Sequence, residues 1–192
     1  MPYCVPVPSR SHGAFALLVP ATAPVTGVPA VPGVPVAYAD TWQVLLAHPA
    51  VLAAVDAVMP NYHPFMDGIA IADAIAAVDD AHARIMVAAG GKPVIPSEAG
   101  WPSAGQTVGA AVANEANAAA FFESFVTWAE QQGLSSYFYF EATDESWKST
   151  TNEGPVGAHW GVFAEDGQLK PGRADVFAGK RATDTWTARR GI

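Results

Sequence analysis

One cysteine, Cys4, stands in the 192 residues, so no internal disulfide is available and the redox compartment is left open. Basic side chains are scarce. Ten Lys and Arg against eighteen Asp and Glu give a net charge of −8, which removes the electrostatic footprint that nucleic acid or an anionic membrane surface requires. No apolar run approaches the ~18 residues of a membrane span. His12, His48, His82 and His159 fall in no H-E-x-x-H or Cys/His pattern, so neither a metal site nor a cofactor is expected. Gly90-Gly91-Lys92 lacks the spacing of a phosphate loop and precedes a strand instead of following one, which makes it a helix stop. Charged residues make up only 15% of the chain and hydrophobic ones 51%, a balance that excludes disorder and fits one domain with a real core.

Proline, by contrast, is plentiful at the start. It recurs at 2, 6, 8, 20, 24, 29 and 32, which breaks any helix or central strand and predicts a poorly ordered, extended segment over residues 1–33. Arg10 followed by the apolar stretch Ala14 to Val19 imitates a signal peptide, but the run is shorter than the usual ~7–15 residues and we read no working signal there.

From Val34 onward the pattern becomes regular. A strand over Val34 to Ala39 leads to Asp40-Thr41, either of which can cap one helix running through Val44, Leu45, Val51 and Leu52. A second strand covers Ala54 to Tyr62, and a helix follows from about Ile69 to Ala89 with Ile71, Ile75, Val78 and Ile85 at helical spacing. The third strand is Lys92 to Glu98, with a helix from about Asn114 to Gln132 whose Phe121, Phe125 and Trp128 share one face. Ser136 to Glu141 is the fourth strand. Alternating strands and helices predict an α/β fold with a parallel sheet.

The stretch Lys92 to Gly105, KPVIPSEAGWPSAG, puts one carboxylate, Glu98, where an apolar strand gives way to a loop. In a βα unit that strand end faces the loops that bind substrate, and Trp101 three residues on offers a ring for a sugar. A solvated Glu ahead of a turn is the competing reading.

Glu98-Ala99-Gly100-Trp101-Pro102-Ser103 resembles the E-T-G-W-P-S nucleophile segment of family 17 glycoside hydrolases, the β-1,3-glucanase family, with Ala99 in place of Thr and Pro96 entering the strand. The likeness runs from about Pro35 to Pro171. It takes in Ala39-Asp40-Thr41-Trp42, the loop His63-Pro64-Phe65, the run from Tyr137 to Lys148 reading Y-F-Y-F-E-A-T-D-E-S-W-K, and Ala158 to Phe163, which is similar to A-H-W-G-L-F.

The resemblance implies a TIM-type (β/α)8 barrel of which residues 34–192 are the C-terminal half, the last four βα units. It implies a retaining hydrolase or transglycosylase of β-1,3-glucan, with Glu98 as nucleophile. The family's acid/base motif, of V-G-N-E type, belongs to an earlier barrel strand, and none is read ahead of Val34. Val112-Ala113-Asn114-Glu115 copies its letters at a position where Asn114 caps a helix and Glu115 favours the first-turn dipole. No acid/base residue is therefore assigned, and an inactive half-barrel or glycan-binding remnant stands as the alternative.

Glu145 and Lys148 match a Glu and a Lys that line the family's active site, with an i, i+3 surface ion pair as the competing reading. Glu141 is either an inward polar residue or a partner for a buried base. Phe65, Trp101, Trp147 and Trp160 are candidate sugar platforms. His63 is placed to hydrogen-bond a sugar hydroxyl, or else is structural. A half-barrel would leave sheet edges open at the strands of Val36 and Tyr139, so half-to-half self-association is expected. The family is typically extracytoplasmic.

Overall fold

The computed structural model describes residues 5–6 and 34–183. The proline-rich stretch 1–33 thus lies outside the described residues apart from one two-residue strand, β1 (Val5–Pro6).

Strands β2 (Ala37–Thr41), β3 (Ala57–Tyr62) and β4 (Glu98–Ala99) form a parallel sheet in that order, with Ala37 opposite Ala57 and Asn61 opposite Glu98. Its buried positions are filled by Tyr38, Val58, Met59, Pro60, Tyr62 and Ala99. β5 (Phe138–Tyr139) continues the series, because Phe138 N–H donates to Pro96 O at 2.9 Å and Phe140 N–H to Ala99 O at 2.8 Å. The four expected strands therefore lie side by side in chain order. All four are shorter than their sequence patterns, β4 and β5 the most, at two residues each. Pro96 accounts for one of these: Ile95 and Ser97 donate their N–H groups to β3, while Pro96 faces β5 with its carbonyl and has no N–H to offer there.

One expected edge is covered. β1 pairs antiparallel with β5, Val5 opposite Tyr139, so the strand of Tyr139 is not left open as the sequence suggested. β2 keeps its outer edge free among the described residues.

The helix expected through Val44 to Leu52 is two helices, α1 (Trp42–Ala47) and α2 (Pro49–Ala54). Pro49 is the cause: its ring disfavours the helical conformation at the preceding residue, and His48 sits at φ −124°, ψ 64°. Thr41 precedes α1 without a side-chain cap bond; Asp40 instead accepts from Thr41 N–H at 2.7 Å and from Tyr38 OH at 3.0 Å.

α3 (Ile71–Ala89) ends where Gly90 takes φ 60°, a left-handed cap that glycine adopts without steric cost. It buries Ile75, Val78, His82 and Ile85 along one stripe. α4 (Glu115–Gln131) begins at Asn114, whose side chain accepts from Asn117 N–H at 2.8 Å, as the capping reading required. Its Phe121, Phe122, Phe125, Val126 and Trp128 are all buried. The polar atoms of this packing are matched: Trp128 Nε1–H donates to Asp79 at 3.0 Å, and Tyr62 OH meets His82 Nδ1 at 2.9 Å. Beyond β5 come two short 3-10 turns, Ser146–Thr150 and Gly154–Ala158, and then α5 (Ala174–Phe177). Among the described residues no helix is long and apolar enough to cross a membrane.

Candidate functional site

Because Asn61 of β3 and Glu98 of β4 are in register, the residues just past β3 reach the start of the loop after β4. His63 is one of them, and its Nε2 lies 3.0 Å from Glu98 Oε2. A carboxylate oxygen accepts, so Nε2 carries the hydrogen of this bond. Nδ1 is buried with no partner among the described residues. The imidazole is held edge-on by Phe140 and Trp160, at ring-centroid distances of 5.6 and 5.4 Å. Glu98 keeps about a quarter of its side chain open, at 26%.

The next residues explain the E-A-G-W spelling. A Cβ at Gly100 would stand 2.1 Å from Phe140 O, so β5 can approach Glu98 only with glycine there. Trp101 turns inward, 1% exposed, packed against Phe65 and Phe121 with Nε1–H donating to Val112 O at 3.0 Å.

A second group lies beyond β5. The Lys148 ammonium contacts Glu141 Oε2 directly and stands 2.7 Å from Glu145 Oε2, with the Phe140 ring 4.9 Å away. Glu141 and Lys148 are both buried, which rules out the surface ion pair as the full account of Glu145 and Lys148. Burial pushes the Glu141 carboxyl up to about 7, against the pull of Lys148. For Lys148 burial works towards the neutral amine, but the hydrogen bonds and charges of Glu141 and Glu145 outweigh it and hold the ammonium above its ordinary range. Of the two readings of Glu141, partner to a buried base is the one realised. Phe140, which the sequence did not single out, touches both His63 and Lys148 and so joins the two groups.

Three candidate platforms need correction. Phe65, Trp101 and Trp160 are buried, each packed edge to ring with its neighbours, and none presents a free face. Their apolar area is spent in the core, where it contributes more than a half-wet stacking surface. Trp147 is 58% exposed and does present its ring. His63 is not free for a hydroxyl through Nε2, which Glu98 occupies. Glu115 pairs with Arg173 at 2.9 Å in the first turn of α4, in keeping with its structural reading. Among the described residues no cluster of His, Cys, Asp or Glu gathers to hold a metal ion.

Residues 28–161 match the family model of the BtgE/BtgC glycoside hydrolase domain. A probable glucan endo-1,3-beta-glucosidase, btgC, of Aspergillus fumigatus is 34% identical over 163 residues, covering 75% of this chain and 22% of that protein. The probable family 17 glucosidase SCW10 of Saccharomyces cerevisiae is 33% identical over 129 residues, 66% of this chain and 32% of its own length. An active-site mutant of Rhizomucor miehei beta-1,3-glucanosyltransferase in complex with laminaritriose superposes with a TM-score of 0.63 at 31% identity, over 73% of this chain and 50% of that one. The chain thus spans a fifth to a third of these curated relatives and half of the solved enzyme. With a family model matched over most of its length and Glu98 set in its E-A-G-W-P-S loop at the end of a parallel strand, the chain belongs to the BtgE/BtgC glycoside hydrolases of family 17.

Proposed function

We propose that this chain carries the nucleophile side of a retaining β-1,3-glucan hydrolase or glucanosyltransferase site, built on the last four units of a (β/α)8 barrel. The observation that carries the reading is Glu98, the first residue of the two-residue strand β4, held by His63 Nε2 at 3.0 Å within the family's nucleophile motif. Retention proceeds in two displacements. A Glu98 oxygen bonds to the anomeric carbon as the glycosidic bond breaks, and the departing oxygen takes a proton from a second carboxylic acid. That acid, now a base, then removes a proton from water, or from a sugar hydroxyl in transfer, as the new bond to carbon displaces Glu98. We assign no acid/base residue within this chain; without one the rate falls by roughly 10²–10⁴. The His63 hydrogen bond orients the nucleophile. Glu145 and Lys148 supply hydrogen bonds and charge for sugar hydroxyls, and Trp147 supplies the open ring face.

A β-1,3-linked fluoroglycoside with an activated leaving group tests the assignment, since it departs without acid assistance. Mass mapping should find the label on Glu98 and lose it in Glu98→Gln; label on Glu145 would overturn the reading. The second reading is a glycan-binding half-barrel, supported by the exposed Trp147. Laminaritriose binding by calorimetry, with neither label nor product, is its expected signature.

A further inference from the structure

We propose that Lys170 is a positioning residue that couples the loop of Glu98 to the loop of Glu145 and Lys148; the role rests on the site reading above. Its Nζ lies 2.6 Å from Asp144 Oδ1, 2.7 Å from Ser103 Oγ and 3.4 Å from His159 O. Ser103 belongs to the loop after Glu98, and Asp144 is the residue before Glu145. An ammonium has three hydrogens to place, and these three oxygens come from three separate stretches.

Lys170 and Ser103 are buried, each 7% exposed, and Asp144 is half-buried. A charge taken out of water persists only with good partners, and removing one partner leaves the other uncompensated. The acceptors are themselves tied down: Gly161 N–H donates to Asp144 Oδ1 at 2.9 Å, and Ser103 N–H to His159 O at 2.8 Å. Lys170 is anchored from behind, with its N–H donating to Val162 O at 3.1 Å. Gly161 leaves no slack, because a Cβ there would meet Asp144 N at 2.2 Å. Movement of either loop therefore breaks a charge-assisted bond at Nζ. Exposed ion pairs impose no such constraint. A misplacement of about 1 Å between reacting groups is worth ~10²-fold in rate, which is the scale on which such a brace matters.

Amide hydrogen exchange on the full chain tests the coupling without needing turnover. Ser103→Ala removes one arm and leaves the ammonium. Exchange should accelerate about tenfold or more at 98–105 and also at 143–149, a segment the Ser103 hydroxyl does not bond itself, its partners being Lys170 and, at 3.2 Å, His159 O. Lys170→Met should loosen both segments and Lys170→Arg should restore most of the protection. Val176→Ala, a core truncation outside the cluster, should leave both unchanged. Acceleration at 98–105 alone in Ser103→Ala, or equal loosening in Val176→Ala, overturns the proposal. Should Lys170→Met fail to fold, Ser103→Ala still decides. Failure of Glu98 to accept the fluoroglycoside label would remove the catalytic reading while leaving the exchange result to judge the coupling.

Discussion

His63 Nε2 meets Glu98 Oε2 at 3.0 Å while Nδ1 of the same ring is buried without a partner among the described residues. Donation to Glu98 puts a hydrogen on Nε2, which nitrogen-15 shifts of labelled histidine would report directly. His63→Gln places an amide N–H near the same point and should keep Glu98 reactive towards the fluoroglycoside. His63→Ala should slow labelling by about tenfold, the scale of one lost hydrogen bond to a charged group. Equal labelling rates in the two variants would dismiss the orienting role.

The Glu141 carboxyl sets a pH dependence. Its folded value, about 7, lies above the ordinary carboxylate range, so between about pH 4.5 and 7 the folded state holds more protons than the unfolded one. The stabilisation is complete below that window and is lost as pH rises through it, by up to about 3 kcal/mol. His82, lowered by burial, acts in the opposite direction, so the parent alone shows a mixture. Urea melts of the parent and Glu141→Gln at pH 5, 6, 7 and 8 separate them. The stability difference between the two proteins should change steadily across the window, and a constant difference would refute the assignment.

Trp101 and Trp147 should part company on truncation. Trp101→Ala opens the core and should cost about 3–5 kcal/mol in a denaturant melt. Trp147→Ala, at an exposed ring, should leave stability within about 0.5 kcal/mol and weaken laminaritriose binding by about tenfold. A Trp147 variant with unchanged affinity would remove it from the sugar site.

Gly100→Ala is predicted to destabilise by about 3 kcal/mol, the upper range for overpacking, because a methyl 2.1 Å from Phe140 O forces β4 and β5 apart. Melts of this variant beside Gly91→Ala, where a Cβ meets nothing within 4 Å, separate the steric cost from the conformational one. Gly91 sits at φ 88°, so it registers conformational strain alone. Equal losses at the two sites would show that crowding is not the cause.

The outer edge of β2, free among the described residues, predicts self-association of the chain. Light scattering should return a mass above the 20.0 kDa of one chain, rising with concentration. A monodisperse monomer with a steep, stable melt would show that the edge is covered.

Local chemistry was legible in the residues. Asn114 announced a helix start and Gly90 a helix end, because capping needs only a side chain or a permissive φ within a few residues. Glu98 could be placed at a strand end by the same means, and its motif carried the family. The short reach of such signals explains the errors too: the helix over Val44 to Leu52 was read through its apolar spacing, while Pro49 acted on the backbone of His48.

Sequence by itself determined the strand and helix alternation, the boundaries set by caps and glycines, and the presence of the nucleophile motif, all of which depend on neighbours along the chain. Tertiary structure alone decided which aromatic rings are core and which are open, since Trp101 and Trp147 occupy equally plausible loop positions and differ only in what packs over them. It also decided that His63 reaches Glu98, that Glu141 shares Lys148 with Glu145, and that Lys170 bridges Asp144 and Ser103. Those contacts join residues up to 67 positions apart, and strand register together with the path of each loop, not spacing along the chain, brings them within hydrogen-bond reach.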